Sequence, residues 1–245
     1  MALASRLAEG TLPLGEAFSF MSGLYFRGKV AYAAAFGRRV DTGPTALVIT
    51  PTRGLQPPDL PFSLALLREF AVGDVSLDNP GYRTALERDV VALATRIGRK
   101  AQVILLGSVA SGKYVDVLLP ILGERLRYPV SFVGRGDMSR GGLLLRSAAS
   151  GDELEYGPLA AGVRPRGPRP PKLDPATRAQ PQSPRRGDPG MAVSWGHETD
   201  RPRDRARRDI VEPALSAGAP GAKGLDAVVD IRLRQRPRVH GRPRS

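Results

Sequence analysis

Three short stretches hold the residue types best suited to chemistry. Gly107-Ser108-Val109-Ala110-Ser111-Gly112-Lys113 has the G-x-x-x-x-G-K spacing of a phosphate cradle. It follows an apolar run, Val103-Ile104-Leu105-Leu106, and precedes an amphipathic stretch from Lys113 to about Leu126. The first amides of a helix lack intrahelical partners and sit at the positive end of its dipole, so such a turn can hold a phosphate, a carboxylate or a base edge. Tyr114 stands where a Ser or Thr would ligate magnesium, and no apolar strand ending in a magnesium-binding Asp follows, since Asp137 lies beyond Gly134 and Gly136. NTP hydrolysis is therefore disfavoured. Two readings remain for Gly107, Ser108, Ser111, Gly112 and Lys113: a site for a phosphorylated ligand, or a turn that only packs a helix on a sheet.

The second stretch is Thr50-Pro51-Thr52-Arg53-Gly54, after the apolar run Thr45-Ala46-Leu47-Val48-Ile49. Ligands of open α/β sheets bind at the carboxyl ends of strands, which makes Thr50, Thr52, Arg53 and Gly54 candidates. A tight proline turn has the same composition. The third stretch, Gly134-Arg135-Gly136-Asp137-Met138-Ser139-Arg140-Gly141-Gly142, reads as a glycine-rich loop after the strand Tyr128 to Val133. Arg135 and Arg140 could clamp phosphate bidentately, with Ser139 and Asp137 beside them; a solvated turn is the other reading. The tripeptide Arg135-Gly136-Asp137 spells an integrin-binding motif by coincidence. In an enzyme, Lys113, Arg135 and Arg140 would neutralise phosphate, Ser108 and the loop amides would orient the ligand, and Asp137 would be the acid-base group.

Composition narrows the chemistry further. The chain has no cysteine, so thiolate catalysis, disulfides and Cys-based metal sites are excluded. Its two histidines, His197 and His240, fall late, so the preceding residues cannot form a Ser-His-Asp triad or a His-ligated metal centre. No cofactor is evident. Carboxylate-bound magnesium remains open, but no tight acidic cluster advertises it.

The elements that must position these stretches are legible from periodicity. Glu16 to Phe36 reads as an interrupted helix weakened in its middle by Gly23 and Gly28, with Arg27 and Lys29 either in solvent, the favoured reading, or facing an anion. Leu64 to Phe70 reads as a short helix, and Asp74 to Asn79 as a polar connection. Tyr82 to Ile97 is a longer helix after Asn79-Pro80-Gly81, with Arg83, Glu87, Arg88 and Arg96 on its solvated face. Leu143 to Arg146 and Glu153 to Tyr156 read as closing strands. Helix, strand and helix in series predict an α/β fold: a three-layer, parallel-sheet, Rossmann-like domain over residues 14–162.

Residues 163–245 differ in kind. They carry 19 Lys+Arg against 9 Asp+Glu, whereas residues 1–162 carry 18 against 15, so most of the net charge of +13 belongs to the last third. Arg201-Pro-Arg-Asp-Arg-Ala-Arg-Arg208 and its neighbours are too polar to bury a core, so a disordered basic tail is expected, with a short helix or strand allowed at Ile210 to Leu215 and Leu225 to Leu233. Such a tail would bind nucleic acid through phosphates. The alternative is a fortuitous extension after about Asp174, the translation of a GC-rich frame.

Four stretches carry a resemblance: Phe18 to Phe36 (FSFMSGLYFRGKVAYAAAF), Val48 to Pro58 (VITPTRGLQPP), the strand ending Leu106-Gly107-Ser108, and Gly134 to Gly142. Together they resemble an uncharacterised family of bacterial proteins. More distantly, residues 18 to about 110 are similar to the uracil-DNA-glycosylase-like domain of archaeosine-synthase-type tRNA modification proteins. That similarity implies a three-layer α/β fold and a relation to modified nucleobases. No glycosylase Asp or His aligns here, so base excision is not implied.

The start, Met1 to Leu14, lacks the apolar run of a secretory signal, and no stretch has the length of a membrane span. The expectation is a cytoplasmic protein without a membrane partner, binding a nucleotide, a nucleobase or nucleic acid in a crevice at the sheet's carboxyl edge. The competing expectation is a non-enzymatic nucleic-acid-binding or adaptor protein acting through its tail.

Overall fold

The computed structural model describes residues 3–38, 43–110, 112–159, 165, 167 and 168, together with the backbone of Val228–Leu233. The chain opens with α1 (Leu3–Ala8), β1 (Leu12–Pro13), α2 (Leu14–Met21) and α3 (Leu24–Phe36). The helical run breaks between α2 and α3 because Gly23 takes φ 70°, which side-chain-bearing residues rarely adopt. After β2 (Ala46–Ile49) come the short strands β3 (Leu55–Gln56) and β4 (Pro61–Phe62), then α4 (Leu64–Val72) and α5 (Pro80–Ile97). Both helix starts are locally encoded. The Ser63 hydroxyl accepts the Leu66 N–H, and the Asn79 side chain accepts those of Gly81 and Tyr82, with Pro80 in the first turn of α5.

The chain continues through β5 (Ala101–Leu105), α6 (Gly112–Leu122), β6 (Leu126–Pro129), α7 (Asp137–Ser150) and β7 (Tyr156–Pro158). A last strand, β8, is Val228–Leu233. The main sheet has the order β3-β2-β8-β5-β6-β7, while β1 and β4 pair separately. β5 and β6 are parallel, with Val103 opposite Leu126. β8 runs antiparallel to both β2 and β5, so those two point the same way. β3 and β7 are antiparallel edges.

The fold is α/β, but the sheet is mixed rather than parallel. β3 returns directly from a tight turn and β7 from the end of α7, and β8 enters between β2 and β5. These six residues of β8 fall where a strand was allowed within the basic tail and are part of the sheet, not a disordered arm. The other expectations for residues 169–245 lie outside the described residues.

Alternation along the strands separates two cores, one on each face. Leu47, Ile49, Val103 and Leu105 pack with Tyr82, Leu86, Val90 and Leu93 of α5 and with Val115 and Leu118 of α6. Ala46, Val48, Ile104 and Leu106 pack with Phe18, Tyr25, Phe26, Tyr32 and Ala33 of α2 and α3, Phe70 of α4 and Leu144 of α7. Leu7 and Leu12, ahead of the expected domain start at Leu14, are buried in this second core. Burying a Val, Leu or Ile side chain contributes about 1.5–3 kcal/mol, and Val103 to Leu106 are wholly buried, so β5 anchors both layers.

Two expectations near α7 are corrected. Gly134 to Gly142 is not one loop, because α7 begins at Asp137, and Leu143 to Arg146 is helical rather than a strand. An acidic residue in the first turn suits the helix dipole, and the two glycines inside α7 have a tertiary cause. A Cβ on Gly141 would lie 2.7 Å from Tyr25 Cα, and one on Gly28 would lie 2.7 Å from the Gly141 carbonyl oxygen. α3 and α7 therefore cross backbone to backbone. The strand expected from Tyr128 to Val133 also ends early, at Pro129, where a 3-10 turn, Val130–Phe132, takes over.

Candidate functional site

Because β2, β5 and β6 run in one direction, the turns that follow them share the carboxyl edge of the sheet. β8 separates β2 from β5, which sets their ends about 10 Å apart, twice the strand spacing. All three candidate stretches therefore lie along that edge.

The turn after β2 is knitted to the fold. Thr50 is wholly buried; its hydroxyl and its N–H both donate to the Gly54 carbonyl, at 2.9 and 2.8 Å, and the hydroxyl oxygen accepts the Arg53 N–H. Gly54 has φ 61°, and a Cβ there would lie 2.2 Å from Asp89 Oδ2. The same carboxylate oxygen accepts the Leu55 N–H at 2.9 Å, tying the turn to α5. Arg53 donates to both oxygens of Glu69 on α4, at 2.9 and 2.6 Å, and the Thr52 hydroxyl donates to Glu69 Oε1 at 2.5 Å. Hydrogen bonding from Arg53, with help from Thr52, holds the Glu69 carboxyl below its ordinary value, and the same contact raises Arg53. Arg53 remains half exposed on the outer side of this pair.

The turn after β5 is more open. Gly107 and Val109 are buried, Ser108 is half-buried, and Gly112 begins α6; Ser111 lies outside the described residues. Lys113 is also half-buried, in the first turn of α6, with its Nζ 4.9 Å from the Tyr114 ring centroid. Its carbonyl accepts the Tyr82 hydroxyl at 2.9 Å, and burial pushes that hydroxyl's pKa above the ordinary tyrosine value. This contact locks the start of α6 against α5 and leaves the lysine side chain free of that task.

In the third stretch the two arginines are oriented by nearby backbone. Arg135 donates to the Ser131 carbonyl at 2.9 Å and to the Ser139 hydroxyl at 3.2 Å. Arg140 is nearly buried; it donates to the Phe132 carbonyl at 3.2 Å and to Asp137 at 3.3 Å, and its guanidinium lies 5.6 Å from the Phe132 ring centroid. The Asp137 side chain is 64% exposed, so its free oxygen faces water at the start of α7. Gly134, at φ 73°, packs against the backbone of Gly167 and Pro168.

Two carboxylates that shape the edge, Glu69 and Asp89, carry no signal in the sequence: each is one charged residue on an amphipathic helix. Lys29 is a further difference. Arg27 is exposed as expected, but Lys29 is wholly buried, with Nζ 3.8 Å from the Tyr25 ring centroid, a cation-π contact. The signal existed, since Tyr25, Lys29 and Ala33 recur at intervals of one helical turn on an apolar stripe. Among the described residues there is no cluster of three or more His, Cys, Asp or Glu able to hold a metal, and no helix is long and apolar enough to cross a membrane. Comparison with protein-family models, with curated proteins and with solved structures finds no match.

Proposed function

We propose that this chain is a Rossmann-like, cytoplasmic α/β protein that binds a nucleotide, a nucleobase or a nucleic-acid end along the carboxyl edge of its sheet. The observation that carries the reading is the common direction of β2, β5 and β6, which puts the turns bearing Arg53, Ser108, Lys113, Arg135 and Arg140 on one edge. Lys113 and Arg135 are the cations for a phosphate. Ser108 and the amides of the Gly107 turn orient the ligand, and Asp137 is the acid-base group for any reaction there. The resemblance to a nucleobase-modifying tRNA protein domain supports the same ligand class.

The test is equilibrium binding of nucleoside monophosphates and of single-stranded RNA and DNA to the full-length protein across a salt series. A charge-assisted contact is worth about 1.5–3 kcal/mol, so Lys113→Ala and Arg135→Ala should each weaken nucleotide binding by about tenfold or more. Each should also lower the salt slope for nucleic acid by about one phosphate contact. Asp137→Asn separates roles, abolishing turnover while leaving binding intact.

The second reading, nucleic-acid or adaptor binding through the tail, is favoured by the 19 Lys+Arg against 9 Asp+Glu in residues 163–245. Replacing Arg201, Arg203, Arg205, Arg207 and Arg208 by Ala then removes RNA and DNA binding, while Lys113→Ala leaves it unchanged.

A further inference from the structure

α3, α5 and α6 each precede one of the strands β2, β5 and β6, so their C-terminal ends gather at the amino edge of the sheet, opposite the candidate site. That edge is basic. Arg38 follows α3, Arg96 lies in the last turn of α5, Arg99 and Lys100 form the turn into β5, and Arg125 immediately precedes β6. Packing draws these turns together. Arg125 donates to the Ala94 and Gly98 carbonyls at the end of α5, each at 2.9 Å. A Cβ on Gly43 would lie 3.1 Å from the guanidinium carbon of Arg96, so Arg96 reaches from α5 to the loop that enters β2. A Cβ on Gly37 would lie 2.9 Å from Thr45 Cβ, which sets the end of α3, and with it Arg38, beside the same loop. Arg38, Arg96, Arg99 and Lys100 are exposed, and none of the five cations forms an ion pair among the described residues. Glu124 is the one acid among the described residues of these turns.

Local capping explains part of this charge, since a cation is favoured near a helix C-terminus and Arg125 is occupied with the α5 carbonyls. It does not explain Arg99 and Lys100, which come after the chain has turned away from α5 at Gly98, φ 67°. Three helix ends carry about half a negative charge each, less than the excess of five cations over one acid. We propose that the amino edge is a second surface for the phosphate backbone of a nucleic acid, separate from the carboxyl-edge site and from the tail. Four of its five cations are arginines, whose planar fork matches phosphate oxygens. Contacts of this kind position a nucleic acid and carry no sequence information. A lipid surface is a poorer fit: the exposed large apolar side chains among the described residues are Val72, Val91 and Met138, and none of them lies in these turns to enter a bilayer.

The experiment is equilibrium binding of a mixed-sequence DNA duplex to the full-length protein across a salt series. The unchanged chain is compared with Arg96→Ala/Arg99→Ala/Lys100→Ala and with a control, Arg27→Ala/Arg68→Ala/Arg83→Ala, that removes three exposed cations elsewhere. Arg125 is left in place because it also holds the end of α5. The tail, Lys113 and Arg135 are the same in every variant, so a difference in slope reads the amino edge alone. The amino-edge triple variant should lower the slope of log K against log salt by about two to three and weaken binding at low salt by about tenfold or more, while the control lowers the slope by less than about one. Arg96→Lys with Arg99→Lys should keep the slope, because the charge itself releases the counterions. An unchanged slope in the amino-edge variant, or an equal loss in the control, overturns the proposal. So does an amino-edge variant that keeps its DNA slope but no longer binds phosphatidylserine vesicles, which would assign the edge to a membrane.

Discussion

At the scale of single residues, the turn after β2 makes two sharp predictions. Gly54 needs its positive φ, and it also needs the absence of a side chain, since a Cβ would meet Asp89 Oδ2 at 2.2 Å and the Ala85 carbonyl oxygen at 2.6 Å. Gly151 also has positive φ, 77°, but nothing lies within 4 Å of a Cβ there. Gly151→Ala should therefore cost about 1–2 kcal/mol of backbone strain. Gly54→Ala should cost about 3 kcal/mol or more by urea denaturation, because it adds a steric clash to the same strain. The second prediction concerns pH. Glu69 has its folded pKa lowered by Arg53, so its contribution is present above the ordinary carboxylate value of 4.5 and is lost as pH falls through the lower folded value. Arg53 is 51% exposed, so solvent screening limits the pair to about 1 kcal/mol at most. Glu69→Gln should flatten the acid limb of the stability curve by that amount and leave its slope at neutral pH unchanged.

At the scale of elements, the crossing of α3 and α7 decides which glycines matter. Within α7, alanine is better than glycine by about 1 kcal/mol of helix propensity. At Gly142 the nearest atom to a new Cβ is the end of the Arg146 side chain at 3.3 Å, which can move. Gly142→Ala should stabilise by about 0.5–1 kcal/mol. At Gly141 the new Cβ would meet Tyr25 Cα at 2.7 Å and the Leu24 carbonyl oxygen at 2.8 Å, both backbone. Gly141→Ala should destabilise by about 1–3 kcal/mol despite the propensity gain. Thermal unfolding of the two variants, with opposite signs one residue apart, checks the geometry of the crossing. Because α7 carries Asp137, Ser139 and Arg140 in its first turn, the same crossing sets where those groups stand at the sheet's edge.

For the whole molecule, the position of β8 matters most. A strand from near the end of the chain bonds to β2 on one side and β5 on the other, so it joins two parts of the sheet that have no direct ladder between them. A chain ending at Leu173 should therefore lose cooperative unfolding, and the amides of Leu47, Val103 and Leu105 should exchange much faster than in the full chain. Unchanged protection would mean that β2 and β5 close up without β8. The outcome also bears on the binding tests: substitutions on the tail are interpretable where deletion of the tail is not.

The sequence alone determined those features that depend on near neighbours. The apolar stripe of α5 and its Asn79-Pro80 start, the apolar runs of β2 and β5, and the Gly107 turn between β5 and α6 are all local, because helix periodicity, capping and strand burial are written within a few residues. The α/β class and the shared edge for the three turns followed from that order of elements. Only the tertiary structure decided the features that need residues far apart. Gly141 and Gly142 looked like a loop until the backbone of α3 required a glycine in α7, and Lys29 looked solvated until its stripe was buried against the sheet. Asp89 and Glu69 became the supports of a turn, and six residues of a basic tail became a middle strand. The short apolar content from Leu225 to Leu233 allowed a strand but could not require one, because only a ladder on both sides supplies the backbone hydrogen bonds that such a segment cannot find alone.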